Sequence, residues 1–156
     1  NANDIFYNYL LSGIYSPKAS IQTIANAMDV GDPSNFARIL DLYKSSHAEI
    51  CNHISGATYS DEEIAATMKK CYEQTGYVLD PHGACGYQAL KDNLKEGETG
   101  VFLETAHPAK FKEKVDAILS TDIEIPTRLA DFMKGKKQSL EMAADFSAFK
   151  QFLLSV

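Results

Sequence analysis

The sequence predicts an α/β fold in which parallel strands pack against helices. Two short apolar runs, Tyr77-Val78-Leu79 and Val101-Phe102-Leu103, each precede a helix signal, and a helical pattern separates them. A strand, a helix and a second strand at this spacing form a right-handed crossover between parallel strands. Apolar residues make up 45% of the 156 residues and charged residues 23%, as in a globular protein. We therefore expect a single compact unit over residues 1–156.

The first helices are predicted from their apolar spacing and from their end signals. Apolar residues at helical spacing follow Asp4 and stop near Gly13, a favoured residue just past a helix end. Asp32-Pro33 has the pattern of an N-cap with proline in the first turn. The apolar stripe that follows reaches Ile50, which predicts one helix of about four or five turns.

The later helices carry clearer signals. Ser60 and Glu63 have the spacing of a capping box, and Gly76 marks the end of the helix that they start. Asp80-Pro81 starts the helix between the two strands. Further helices are predicted to begin at Pro108 and at Pro126, and a last one to carry apolar residues 146–153. We expect this helical tail to cover the sheet.

Composition and charge exclude several classes of protein. The net charge is -6 and the basic residues are dispersed, so nucleic acid is not expected as a partner. No apolar run approaches the ~20 residues that cross a bilayer, and no targeting signal is present. Three cysteines without paired spacing, Cys51, Cys71 and Cys85, argue against a disulfide framework. A cytoplasmic location is expected.

Polar residues follow both predicted strands. Asp80 and His82 come after the first strand, and Thr105 and His107 come after the second. Ligands of open parallel sheets bind outside the carboxyl ends of the strands, so these side chains are predicted to share one site edge. The alternative is that Asp80 and His107 merely cap helices.

Two other groups of residues suggest binding sites. His47, Cys51 and His53 are potential metal ligands, but one helix cannot direct all three at a single point, and we predict no metal. An anion site is possible where a predicted helix begins, because the positive end of the helix dipole favours anions. The candidate residues there are Ser34, Asn35 and Arg38. The alternative is a solvated first turn.

Four motifs resemble the threonine synthase family. Asn26–Phe36 has the family's Ala-Met-Asp turn followed by Ser-Asn and an aromatic residue, and Ser16-Pro17-Lys18 agrees as well. Asp80–Ala84 resembles the Glu-Pro-His-x-Ala element, with Asp80 in place of the usual Glu. Thr105–Phe111 matches a Thr-Ala-His-Pro-Ala-Lys-Phe signature. These motifs occur in the family's order and cover essentially the whole chain.

The resemblance implies the C-terminal portion of a pyridoxal-phosphate enzyme with the tryptophan-synthase-β-like fold, also called fold type II. Such an enzyme converts O-phospho-L-homoserine and water to L-threonine and phosphate. Thr105 is implied to hydrogen-bond the pyridine nitrogen of the cofactor. The family's cofactor lysine and phosphate loop belong to an N-terminal portion, and neither motif occurs in this sequence. We therefore expect the chain alone to be inactive. The alternative is a non-catalytic α/β binding or regulatory module derived from that family.

Overall fold

A computed structural model describes residues 1–155, and helices account for all the regular structure in that range. A short 3-10 helix, Pro108–Phe111, runs directly into the sixth α-helix. The α-helices are α1 (Ile5–Ser12), α2 (Phe36–Leu42), α3 (His47–His53), α4 (Asp61–Thr75), α5 (Pro81–Asn93), α6 (Lys112–Leu119), α7 (Thr127–Met133) and α8 (Phe146–Ser155). None of the helices in these residues is both long and apolar enough to cross a bilayer.

The predicted parallel strands are absent from residues 1–155, so this part of the prediction is wrong. Residues 77–79 and 101–103 flank α5 as predicted, but no backbone hydrogen bond joins the two segments in the described range. A strand is stabilised by backbone pairing with a neighbour, which these segments do not offer each other. Burial also differs from the prediction, because Leu79 is fully buried whereas Val101 and Leu103 are 83% and 77% exposed.

The predicted ends of α1 and α4 are confirmed. Gly13 follows α1 with a φ of 72°, the left-handed conformation that glycine adopts without strain. At the start of α4 the Ser60 hydroxyl accepts from Glu63 N at 3.2 Å. The Glu63 carboxylate in turn accepts from Ser60 N at 2.8 Å, which completes the capping box. Gly76 ends α4 in the left-handed conformation.

The long helix predicted after Asp32-Pro33 is wrong, because it is divided into α2 and α3. Lys44 and Ser45 have φ values of 50° and 59°, and this left-handed turn interrupts the helical path. Ser46 then caps α3 by accepting from Glu49 N at 3.3 Å. Asp32 caps no helix and instead accepts from the Tyr15 hydroxyl at 2.8 Å. The apolar stripe continues across the break because both helices face one hydrophobic cluster.

The larger unit of the chain, Asn1–Glu124, has two hydrophobic clusters. The N-terminal cluster joins α1, α2 and α3 through buried Tyr9, Phe36 and Ile50. The main core lies between α4, α5 and α6, and its buried members are Ala25, Ile64, Met68, Cys71, Leu79, Ala84, Phe111 and Val115. The loop that contains Ala25 is held to α4 by Asp61, whose carboxylate accepts from Ile24 N at 3.1 Å.

Residues from Ile125 onward form a second compact unit, where the sequence analysis expected a single one. Helices α7 and α8 occur where they were predicted, and neither contains a buried residue. Exposed apolar side chains include Phe132 and Phe146, at 80% and 75%.

Substitution of Met68 tests its assignment to the main core. The side chain is fully buried, so Met68→Ala leaves a cavity and should lower the free energy of unfolding by about 2–5 kcal/mol. Met28 is a matched control because it is 78% exposed, and Met28→Ala should change that free energy by less than about 0.5 kcal/mol. Urea denaturation followed by circular dichroism measures both values. Equal effects of the two substitutions would contradict the assignment of Met68 to the core.

Candidate functional site

Asp80 is fully buried at the start of α5 and caps that helix. Its Oδ1 accepts from His82 N at 2.8 Å, and its Oδ2 accepts from Gly83 N at 3.4 Å. Pro81, which has no N–H to satisfy, occupies the first helical position between them. The cap predicted from the sequence is thus confirmed, and the positive end of the α5 dipole favours a negative charge on Asp80.

His82 adds a third hydrogen bond to Asp80. Its ring Nδ1 lies 3.0 Å from Asp80 Oδ1, and the ring packs against Phe111 with the centroids 5.2 Å apart. Since a carboxylate accepts, we assign the proton to Nδ1, which leaves Nε2 as the free ring nitrogen in the neutral form. About a third of the His82 side chain is exposed. Asp80 and His82 are therefore in direct contact, and their place at a site edge with Thr105 and His107 stays a prediction.

Glu104 lies against the same helix end. A Cβ added to Gly83 would lie 2.2 Å from Glu104 Oε2, so the carboxyl occupies the space that a side chain at position 83 would fill. Both Glu104 oxygens are buried, and no N–H or hydroxyl in residues 1–155 donates to them. Asp80 is the polar group within hydrogen-bonding reach. Two carboxyl groups thus share the first turn of α5.

One shared proton satisfies this pair. Burial, and after it the neighbouring Asp80 carboxylate, together raise the pKa of Glu104 to about 8. Burial alone would also raise the pKa of Asp80, but the hydrogen bonds from His82 and Glu104 outweigh burial and lower it to about 2. Glu104 therefore holds the proton and donates it to ionised Asp80, a strong type of hydrogen bond.

Thr105 follows Glu104 in the chain and is exposed, whereas the Glu104 oxygens are buried. Within residues 1–155 the Thr105 hydroxyl makes no hydrogen bond, so its donor is free. His107 is exposed as well, and its Nδ1 accepts from Ala109 N at 3.1 Å at the start of the 3-10 helix. Capping by His107, the alternative to a site role, is thus observed.

The predicted anion site has little support from its surroundings. Ser34 and Asn35 lie in the exposed turn before α2, and Arg38 is exposed on that helix. Asn35 occupies the N-cap position without a side-chain hydrogen bond to the helix. Helix α2 has seven residues, so its dipole is weak. No hydrogen bond in residues 1–155 joins these side chains to Asp80 or Glu104, and anion binding stays a prediction.

The three potential metal ligands are engaged with the protein. His47 Nε2 lies 3.1 Å from the Tyr9 carbonyl oxygen and 3.3 Å from Cys51 Sγ. His53 Nδ1 lies 2.9 Å from the Glu49 carbonyl oxygen, in the last turn of α3. The His47 and Cys51 pair follows from their spacing of four on one helix. The prediction of no metal at these residues remains untested.

Sequence reasoning missed Glu104. A signal was present, because an acidic residue comes directly after each apolar run, Asp80 after Leu79 and Glu104 after Leu103. Asp80 was recognised because Pro81 marks a helix start, and Glu104 has no such mark. The proximity of the two carboxyl groups depends on tertiary packing, which local spacing does not reveal.

The carboxyl pair predicts how stability depends on pH. The native pKa of Glu104 lies above its unfolded value of about 4.3, so the native state binds more protons and stability falls as pH rises to about 8. The native pKa of Asp80 lies below its unfolded value, so stability is lost below about pH 4. Glu104→Gln keeps a donor but does not titrate, so it should abolish the decline above about pH 5.

Urea unfolding of wild type and Glu104→Gln at a series of pH values checks this. The slopes should differ by at most about 1.4 kcal/mol per pH unit, the limit for one proton. Glu124→Gln is the matched control, because Glu124 is exposed and its substitution should leave the decline unchanged. Parallel curves for wild type and Glu104→Gln would show that the two carboxyls share no proton.

Comparison with known proteins gives this geometry a context. The family described as "Pyridoxal-phosphate dependent enzyme" matches residues 1–105, and the one described as "Threonine synthase, C-terminal" matches residues 83–153. The threonine synthase of Haemophilus influenzae is 44% identical over 154 residues, which is 99% of this chain and 36% of that protein. This chain thus spans just over a third of the length of such relatives.

Solved structures show the same similarity to threonine synthases. The crystal structure of threonine synthase from Escherichia coli matches with a TM-score of 0.79 and 39% identity, over 99% of this chain and 36% of that one. A threonine synthase from Brucella melitensis, solved with pyridoxal phosphate bound, matches with a TM-score of 0.68 and 27% identity over 98% of this chain and 38% of that one. The chain belongs to the fold type II family of pyridoxal-phosphate-dependent enzymes and corresponds within it to the C-terminal region of threonine synthases.

Proposed function

We propose that this chain is part of a cytoplasmic threonine synthase that converts O-phospho-L-homoserine and water to L-threonine and phosphate. The observation that carries the proposal is the extent of the similarity. Threonine synthases from several bacteria are 37–44% identical to the chain over 99–100% of its length. The cytoplasmic location is supported by the cysteines, all three of which are free in the structure.

The residues present fit pyridoxal phosphate through Thr105. The ring nitrogen of the cofactor needs a hydrogen-bond partner, and Thr105 offers an exposed hydroxyl whose donor is unused within residues 1–155. When bound, pyridoxal phosphate supplies an electron sink that stabilises carbanions. The Thr105 hydroxyl is a much weaker acid than a pyridinium ion, so its proton stays on Oγ1 while it donates. Thr105 thus keeps the ring nitrogen neutral, whereas a carboxylate would favour protonation.

Three more residues complete the proposed site. Asp80 and His82 are tied to each other and to the start of α5, and we propose that they lie at the edge of the cofactor site. His107, two residues after Thr105, completes this edge in our proposal. The free Nε2 of His82 is able to accept a proton or a hydrogen bond there.

The rest of the enzyme is proposed to supply the lysine that binds the cofactor and the loop that binds its phosphate. A surface for that portion exists beside the site. Val101 and Leu103 are 83% and 77% exposed, and the backbone between them makes no hydrogen bond within residues 1–155. An extended apolar segment with unpaired backbone groups is suited to pairing with a strand of the remaining portion. A non-catalytic module would have no need of such a partner.

Thr105→Val in the complete enzyme tests the proposal. The substitution keeps the β-branched shape and removes the hydrogen bond, which leaves the ring nitrogen unpaired at a cost of about 1–3 kcal/mol. Cofactor affinity or turnover should fall about 5- to 150-fold, measured by cofactor titration and by phosphate release. Thr99→Val is the matched control, since Thr99 is an exposed threonine in the preceding loop. Full activity in Thr105→Val would remove Thr105 from the site.

The chain alone should form no specific covalent bond with the cofactor. Its lysines do not have the sequence context of the family's cofactor lysine. After incubation with one equivalent of pyridoxal phosphate and borohydride reduction, peptide mass spectrometry should find scattered, substoichiometric labelling. The complete enzyme, treated in the same way, should be labelled at one lysine outside residues 1–156. Stoichiometric labelling of one lysine within this chain would contradict the division of roles proposed above.

A further inference from the structure

We infer that Glu104 is a positioning residue that aims the Thr105 hydroxyl at the cofactor ring by docking its own side chain on the first turn of α5. This inference rests on the proposed function, because it assumes that Thr105 contacts the cofactor. It assigns a role to a carboxyl group that the proposed chemistry does not otherwise use.

The backbone around Thr105 has few other anchors. Within the described residues, no backbone hydrogen bond involves residues 99–106, and no side-chain hydrogen bond to their backbone is found. Val101 and Leu103 are exposed, so apolar packing at these positions does not fix the segment. Two apolar side chains do anchor the segment: Phe102 packs on Tyr87, with the ring centroids 5.5 Å apart, and Ala106 packs against the main core. Glu104 adds a buried polar group that adjoins Thr105 in the chain.

The docking of Glu104 is specific. Its carboxyl lies over Gly83, where an added Cβ would come within 2.2 to 2.4 Å of three carboxyl atoms. No side chain would fit at position 83 unless the Glu104 carboxyl moved, because atoms in proteins do not pack so closely. The carboxyl is also within reach of Asp80, which is itself held by two backbone N–H groups of α5. The position of Glu104 is therefore set by a rigid helix end.

A fixed side chain at position 104 restricts position 105. The Glu104 carboxyl points at the first turn of α5, and the Thr105 side chain that follows it in the chain is exposed. A single peptide unit joins the two residues, and its planarity limits the remaining rotation. The charged group that faces Glu104 is Asp80, which His82 holds. The Tyr77 phenol is also nearby, and its pKa is raised by burial and then by the Glu104 charge.

A double-mutant cycle in the complete enzyme tests this inference. Glu104→Ala should weaken pyridoxal phosphate binding by about 5-fold or more, and should also change the ¹⁵N chemical shift of the labelled ring nitrogen. In a Thr105→Val background the same Glu104→Ala substitution should have no further effect, because the hydroxyl that it positions is gone. Glu104→Gln retains a donor to Asp80 and should restore affinity to within about 3-fold of wild type.

Val115→Ala controls for loss of stability. Val115 is fully buried in the main core, so the substitution destabilises the protein and should leave the ring-nitrogen shift unchanged. If Glu104→Ala does not fold, pH provides the second test. Wild type should lose more cofactor affinity than Glu104→Gln between about pH 7 and pH 9, as Glu104 loses its proton. Equal losses in the two proteins would overturn the inference.

The outcomes distinguish a failure of the role proposed for Thr105 from a failure of the positioning role of Glu104. If Thr105→Val changes neither affinity nor the ring-nitrogen shift, the role of Thr105 in the proposed function fails, and the positioning role fails with it. If Thr105→Val weakens binding but Glu104→Ala does not, the positioning inference alone is overturned. Additive effects of the two substitutions would also overturn it, because they would show that Glu104 acts independently of Thr105.

Discussion

Burial of the Glu104 carboxyl at the first turn of α5 is the constraint on which the site depends. Two conditions make that burial possible: a proton shared with Asp80 and the absence of a side chain at Gly83. Without the proton, two negative charges would face each other away from water, which is strongly unfavourable. With the proton in place, Glu104, which follows the apolar run 101–103, is held at the start of α5, which follows the apolar run 77–79. The contact thus places Glu104 against Gly83, 21 positions earlier in the chain, without a β-ladder.

Local signals in the sequence predict most of the helices and their ends. The capping box of Ser60 and Glu63 and the glycine that ends α4 satisfy backbone groups within a few residues, so no tertiary information is needed. The break between α2 and α3 could not be predicted in this way. Lys44 and Ser45 rarely adopt left-handed conformations, and the apolar stripe runs through them because both helices pack on the N-terminal cluster.

Strands and the site depend on contacts that are distant in sequence, and prediction was correspondingly weaker there. The apolar runs at 77–79 and 101–103 were predicted to be strands, but strand formation requires partners that these segments do not provide for each other. The cap at Asp80 was predicted because Asp80-Pro81 is a local signal of a helix start. The role of Glu104 depends on its contact with the first turn of α5. The whole of that helix separates the two in sequence, and no local periodicity reveals such a contact.

Gly83 has a consequence for how related sequences can vary. A methyl group at this position would overlap the Glu104 carboxyl, so an alanine there requires a shorter or reoriented residue at position 104. Side-chain length at position 80 matters as well, because Asp80 must stay within reach of Glu104. Positions 80, 83 and 104 are therefore expected to covary, with the reach of the two acids adjusted to the size of the residue between them. Substitution at one of the three changes which residues the other two positions can accept.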